Sequence, residues 1–123
     1  MMECKKALES SDGDIGKAMD WLRKHGAAKA SSKLQGREAS EGLVGICVSD
    51  DGKSASLVQV ASETDFAGRS EAFCSLVTHV ASATLSTDQN GIVEDSTLME
   101  ATSDGKTVKE ALDDAIVAIR ENL

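Results

Sequence analysis

The chain has 123 residues, with 13 Lys plus Arg against 21 Asp plus Glu, a formal net charge of -8. That length suits one domain, or a small domain with a helical appendage, and it buries roughly two-thirds of the unfolded surface without a metal or disulfide. A hydrophobic fraction of 41% excludes a disordered chain, no apolar run approaches the ~20 residues that cross a bilayer, and the acidity speaks against general nucleic-acid binding, which needs a basic surface to displace counterions.

Residues 1–26 read as two short helices. The first runs from Met1 to about Leu8 or Glu9, and Ser10, Ser11, Asp12 and Gly13 form a turn cluster. Asp14 suits the N-cap of the second helix, where Ile15, Ala18, Met19 and Leu22 make a stripe at helical spacing. Arg23, Lys24 and His25 followed by Gly26 form a helix stop. Two short helices bury little by themselves, so a third is expected before Met1. Residues 27–41 are small, polar and basic, a helical or extended connector.

From residue 42 the period changes to two. Val44, Ile46 and Val48 alternate with Gly45 and Cys47, Asp50-Asp51-Gly52-Lys53 signals a turn, and residues 57–61 form a second β-rich run. Residues 62–69 are a loop or tight turn. Ser70 then caps a helix whose apolar face is Phe73, Leu76, Val77, Val80 and Ala81, ending near Leu85. The polar stretch 86–106 holds a short helix near 96–102. Thr107 opens a last helix with Val108, Ala111, Leu112, Ala115, Ile116 and Ile119 on one face. A hairpin with two open edges wants a third strand, so the expectation is an N-terminal portion of a longer protein.

The composition narrows the chemistry. Trp21, Phe66 and Phe73 are the aromatics, and Tyr and Pro are absent. The core therefore draws on Ala, Val, Leu and Ile, no stacking platform for bases exists, and an exposed aromatic stands out. Residues 1–37 carry eight basic and five acidic groups, the remainder five and sixteen, which suggests two units with different faces or different partners. Cys4, Cys47 and Cys74 are odd in number and widely spaced, so they read as small hydrophobes in a reducing compartment rather than zinc ligands or a disulfide framework. No phosphate loop, G-x-S-x-G or H-E-x-x-H is present. A nucleophile–base pair of Cys74 or Ser75 with His79 is a minor rival, since nothing in the sequence orients such a base.

Two places stand out. At Thr64-Asp65-Phe66, between a strand and a helix, two readings compete: a helix cap with Phe66 folded back into the core, or an exposed ring beside a carboxylate that anchors a partner. Met1 and Met2 either pack a further helix or fill an irregular partner groove.

The run Met1-Met2-Glu3-Cys4-Lys5-Lys6-Ala7-Leu8, the Gly13-Asp14 turn, Trp21-Leu22, Lys29-Ala30, Glu41-Gly42-Leu43 and, most specifically, Glu63-Thr64-Asp65-Phe66 followed by Arg69 resemble the elongation factor Ts family. The likeness covers residues 1 to about 85 and resumes at Ile119-Arg120-Glu121-Asn122-Leu123. Lys33-Leu34-Gln35-Gly36-Arg37 with Glu41-Gly42-Leu43-x-Gly45 is similar to mitochondrial members and implies a lost leader and a mitochondrial matrix location, with a bacterial-type cytoplasm or plastid as alternatives.

The resemblance implies an α+β fold: a ubiquitin-associated-like helical domain over 1–26, a connector over 27–41, and over 42–123 the N-terminal half of a core with an antiparallel hairpin packed on helices. It implies a guanine-nucleotide exchange factor for elongation factor Tu, not an enzyme and without a cofactor, metal, nucleic acid or membrane of its own. Met1 and Met2 would contact the GTPase domain, Thr64, Asp65 and Phe66 would bind the partner, with Asp65 and Phe66 disturbing its magnesium site, and Ile119 and Arg120 would lie near its phosphate loop. Arg120 replaces the family's glycine, and Ser62 and Ala67-Gly68 also depart from the commoner pattern. A ubiquitin-associated-type binding module without exchange activity is the alternative, for which the Asp65-Phe66 loop has no use.

Overall fold

The computed structural model describes residues 1–34, 36–87 and 89–123. Gln35 of the connector and Asp88 of the polar stretch lie outside the described residues. Helix α1 (Met2–Ser10) turns into α2 (Ile15–Leu34). The turn residues Asp12 and Gly13 have φ of 50° and 80°, and the Gly13 N–H donates to the Leu8 carbonyl at 2.9 Å. Asp14 caps α2 as expected, its Oδ1 accepting from the Lys17 N–H at 2.9 Å.

Gly26 does not end the helix. Helix α2 continues through the first half of the predicted connector to Leu34, which is buried. The sequence beyond Gly26 is rich in strong helix formers, and the glycine sits against the last helix, α6 (Val108–Ile119), where an added Cβ would lie 3.8 Å from Val117 Cγ2. Tertiary packing there offsets the roughly 1 kcal/mol cost of an interior glycine. The stripe is also thinner than its spacing suggested: Ala18 is buried, whereas Ile15 and Met19 are exposed.

Strands β1 (Glu41–Val48) and β2 (Ala55–Ser62) form the expected antiparallel hairpin, with Gly45 opposite Val58 and Ile46 opposite Leu57. Helix α4 (Glu71–Leu85) packs on its inner face. There Gly45 allows the close approach: a Cβ would stand 2.6 Å from Val77 Cγ1. The larger β-branched residues of β1, Val44, Ile46 and Val48, point outward and are exposed, as is Leu57. The core comprises Val58, Leu76, Val80, Ala81, Ala83, Val108, Ala111 and Ala115. Phe73 is fully buried, and the Ser70 hydroxyl caps α4 by accepting from its N–H at 3.3 Å.

Between Leu85 and α6 lie the expected short helix, α5 (Asp95–Glu100), and a miniature hairpin that the sequence reading did not anticipate, β3 (Thr102–Ser103) with β4 (Lys106–Thr107). Its two-residue loop, Asp104-Gly105, has φ of 52° and 76°, the positive-φ pair that Asp-Gly favours in tight hairpins. The architecture is α+β.

Helix α6 (Val108–Ile119) opens on a capping box. The Glu110 N–H donates to Thr107 Oγ1 at 3.1 Å, and the Thr107 N–H donates to Glu110 Oε2 at 3.0 Å. The Thr107 N–H, and after it the hydroxyl, hold the Glu110 carboxyl below its usual range. A depressed carboxylate stabilises the fold above the unfolded pKa of about 4.3 and loses that contribution as pH falls through the lower folded value. Glu110→Gln keeps the box but not the charge. We expect the urea midpoints of wild type and Glu110→Gln to differ at pH 7 and to converge as the pH falls below the unfolded value of about 4.3 and through the lower folded one. A constant difference across that range refutes the assignment.

Helix α2 is tied sideways to α6. Arg23 Nε lies 3.7 Å from Asp114 Oδ1, and Lys106 Nζ lies 2.6 Å from Asp114 Oδ2. Helix α1 is tied back to α2 through Glu3 and Lys29, and Lys29 holds the Glu3 carboxyl below its usual range.

Candidate partner-binding site

Strand β2 ends at Ser62, whose side chain is completely buried and whose hydroxyl donates to the Thr64 carbonyl at 3.0 Å. The chain then turns into the four-residue helix α3 (Asp65–Gly68). Thr64 is its N-cap, with Oγ1 accepting from the Ala67 N–H at 3.3 Å. Ala67 and Gly68 face inward and are buried. An added Cβ at Gly68 would lie 3.8 Å from Ser62 Oγ, an ordinary van der Waals contact that shows how closely the turn lies on the end of the sheet. Of the two readings of Thr64-Asp65-Phe66, the cap is present and the inward fold of Phe66 is not. With its neighbours fixed below, Phe66 points out and is 82% exposed. Asp65 stands beside it, 3.5 Å from Arg69 Nη2, both largely in water.

The end of α6 meets this turn. Ile119 is half-buried against the core. Arg120 closes the helix in the left-handed region, φ 62° and ψ 33°, its N–H donating to the Ile116 carbonyl at 2.8 Å. Glycine takes that conformation without steric cost, and arginine does not.

Glu121 then reaches back across the chain. Its Oε2 accepts from the Thr64 N–H at 3.1 Å and its Oε1 from the Thr64 hydroxyl at 2.7 Å. The Asn122 N–H donates to Glu63 Oε1 at 2.7 Å, and its Nδ2 donates to the Arg37 carbonyl at 2.7 Å. Arg37 Nη1 lies 3.6 Å from Glu63 Oε2. Three segments far apart in sequence are thus tied at one place: Arg37 beyond the end of α2, the turn after β2 and the residues after α6.

The structure therefore brings Thr64, Asp65 and Phe66 together with the segment of Ile119 and Arg120. Met1 and Met2 stand apart on α1 and are exposed. Glu121 and Asn122 entered the sequence reading as matching letters without a role, because no local spacing reveals a contact across 57 residues. The thiol pair is not assembled: Cys74 Sγ approaches the Gly68 carbonyl at 3.9 Å, and His79 Nε2 is buried without a hydrogen-bond partner among the described residues. Among the described residues no group of His, Cys, Asp and Glu is placed to hold a metal ion, and no helix is long and apolar enough to cross a membrane.

The sequence model of the family described as Elongation factor TS matches residues 63–123, the part that holds the Thr64 turn and the end of α6. Elongation factor Ts of Brucella anthropi is 50% identical over 123 residues, and those of Brucella ovis and Brucella melitensis biotype 1 are 49% identical over the same 123 residues. In each case the alignment takes in 100% of this chain and 38% of the relative, so the chain spans well under half the length of the proteins it matches. These relatives are bacterial and lend no support to the mitochondrial placement implied by the connector motif. On these matches the chain belongs to the elongation factor Ts family.

Proposed function

We propose that this chain is part of a guanine-nucleotide exchange factor that binds elongation factor Tu and promotes GDP release, acting in a bacterial-type cytoplasm. In this reading Phe66, with Asp65 beside it and Thr64 beneath it, wedges against elements that support the magnesium and phosphate sites. Ile119 and Arg120 flank the wedge near the phosphate loop, and Met1 and Met2 dock a second place on the GTPase domain. The observation that carries the reading is the 82% exposure of Phe66 on a turn whose base is fixed by hydrogen bonds. One of two Phe in the chain stands in water while the other is fully buried.

The reaction is ligand exchange, with no covalent bond made or broken, so the chain needs no nucleophile, metal or cofactor of its own. Mg²⁺ demands a near-octahedral set of oxygen ligands around the nucleotide phosphates. Displacing one supporting helix by about an ångström spoils that geometry, so the factor need not touch the ion. Binding is reciprocal: what favours the nucleotide-free partner is weakened to the same degree by GDP or GTP.

The magnitudes set a limit on the wedge. Burying Phe66 contributes about 2–3 kcal/mol, while moving a two-state equilibrium from 1:99 to 99:1 takes about 5.5 kcal/mol of differential binding. The remaining contact surface must supply the difference. The 1–123 segment is accordingly expected to bind weakly and to stimulate release of labelled GDP poorly beside the full-length protein. Equal stimulation by the two proteins counts against the reading.

A further inference from the structure

We propose that Glu121 is a positioning residue for the Phe66 wedge, acting through Thr64; this rests on the exchange reading above. The carboxylate grips a single residue twice, accepting from the Thr64 N–H at 3.1 Å and from its hydroxyl at 2.7 Å. The same hydroxyl oxygen accepts from the Ala67 N–H and so caps α3. Thr64 Oγ1 thus donates to Glu121 and accepts from Ala67, a relay that sets the hydroxyl rotor and orients the short helix.

Helix α3 has only four residues, too few to hold its own direction by internal hydrogen bonds. Its direction, and with it that of the Phe66 ring, is set from outside. Ser70 Oγ holds its far end, donating to the Ala67 carbonyl at 2.7 Å, and two ties fix its N-cap: Ser62 Oγ to the Thr64 carbonyl from within β2, and Glu121 from beyond α6. The first is local. The second connects the wedge to the segment containing Ile119 and Arg120, so that both proposed contact points move as one body. The left-handed turn at Arg120 is what aims the chain back toward Thr64. A wedge works by arriving at one place in one orientation. Loss of the grip should therefore lower the maximal rate of exchange more than the affinity of the factor for its partner.

The test uses the full-length protein and the release of labelled GDP from elongation factor Tu, measured against factor concentration to separate the maximal rate from half-saturation. Glu121→Ala and Thr64→Val are each expected to lower the maximal rate about tenfold, the loss of one charge-assisted hydrogen-bonded grip. Half-saturation should change less than threefold. The double variant should lose less than the product of the two single losses, because both remove the bond between the Thr64 hydroxyl and Glu121, while Thr64→Val also removes the Ala67 cap and keeps the backbone N–H bond to Glu121. Glu121→Gln keeps the shape and one acceptor and guards against misfolding of the alanine variant; an intermediate maximal rate, about threefold down, is expected. Multiplicative losses in the double variant, or a wild-type maximal rate for Glu121→Gln and Glu121→Ala, overturn the role of Glu121. Phe66→Ala run beside them separates the two readings. If Phe66→Ala is silent the wedge itself is wrong, and if it is slow while the Glu121 variants are not, only the present inference falls.

Discussion

Phe66→Ala should slow stimulated GDP release by about 30- to 150-fold, the rate equivalent of 2–3 kcal/mol of lost burial at the reacting interface. The fold should barely notice. The ring is 82% exposed and, among the described residues, is not a member of the core cluster, and surface substitutions of this kind usually stay within about 0.5 kcal/mol. Asp65→Ala is the companion. Its ion pair with Arg69 is exposed on both sides and contributes little to stability. A drop in exchange for Asp65→Ala therefore reports on the partner. Circular dichroism of each variant checks that helix content is retained. Exchange at the wild-type rate by both variants, with folding intact, would falsify the wedge.

The second large effect concerns stability. Gly42, the second residue of β1, lies opposite Ala61 with φ at +145°, a region that side-chain-bearing residues rarely enter. An added Cβ would stand 2.2 Å from the Val60 carbonyl oxygen and 2.8 Å from Ala61 Cα. Both are backbone atoms of the paired strand, so no rotamer change relieves the overlap and the two strands must separate there. Backbone strain of about 1–3 kcal/mol and overpacking of similar size place Gly42→Ala at about 2–4 kcal/mol of lost stability, since relaxation recovers part of the sum. Thermal unfolding of the full-length protein reads this as a lowered midpoint. Gly52→Ala, in the hairpin turn at φ 68° with open space around it, is the control and should cost less. Equal midpoints for the two variants would show that the close approach at Gly42 is not rigid.

Much of this was legible in the chain. Helical spacing identifies α4 and α6, and Ser70 and Thr107 mark their starts. Alternation of apolar residues identifies the β1–β2 hairpin. The sequence left Phe66 open between core and surface, because a cap and an anchor share the same letters; the buried Ala67 and Gly68 beneath it decide for the surface. Gly26 misled, since a stop signal weighs local propensity while Val117 on a distant helix accepts the glycine as a packing face. Asp104-Gly105 was a readable tight-turn signal, overlooked because its strands have two residues each. The inner face of the hairpin was not readable from apolarity: the bulky Val44, Ile46 and Val48 face out, and Gly45 and Cys47 face in because α4 lies so close. The grip of Glu121 on Thr64 depends on chain geometry that no short motif encodes.

The continuation of α2 through Gly26 has a thermodynamic consequence. A soft connector between the α1–α2 head and the core would make the head's contact a second, tethered binding event, discounted by the freedom the tether loses. Here the helix runs unbroken past α6, braced by Arg23 and Asp114; beyond it the Arg37 N–H donates to the Leu34 carbonyl, and Asn122 holds the Arg37 carbonyl. That freedom has already been surrendered in folding. In the proposed complex the head and the wedge therefore act as two teeth of one chelating jaw, with a single entropic cost of association shared between them.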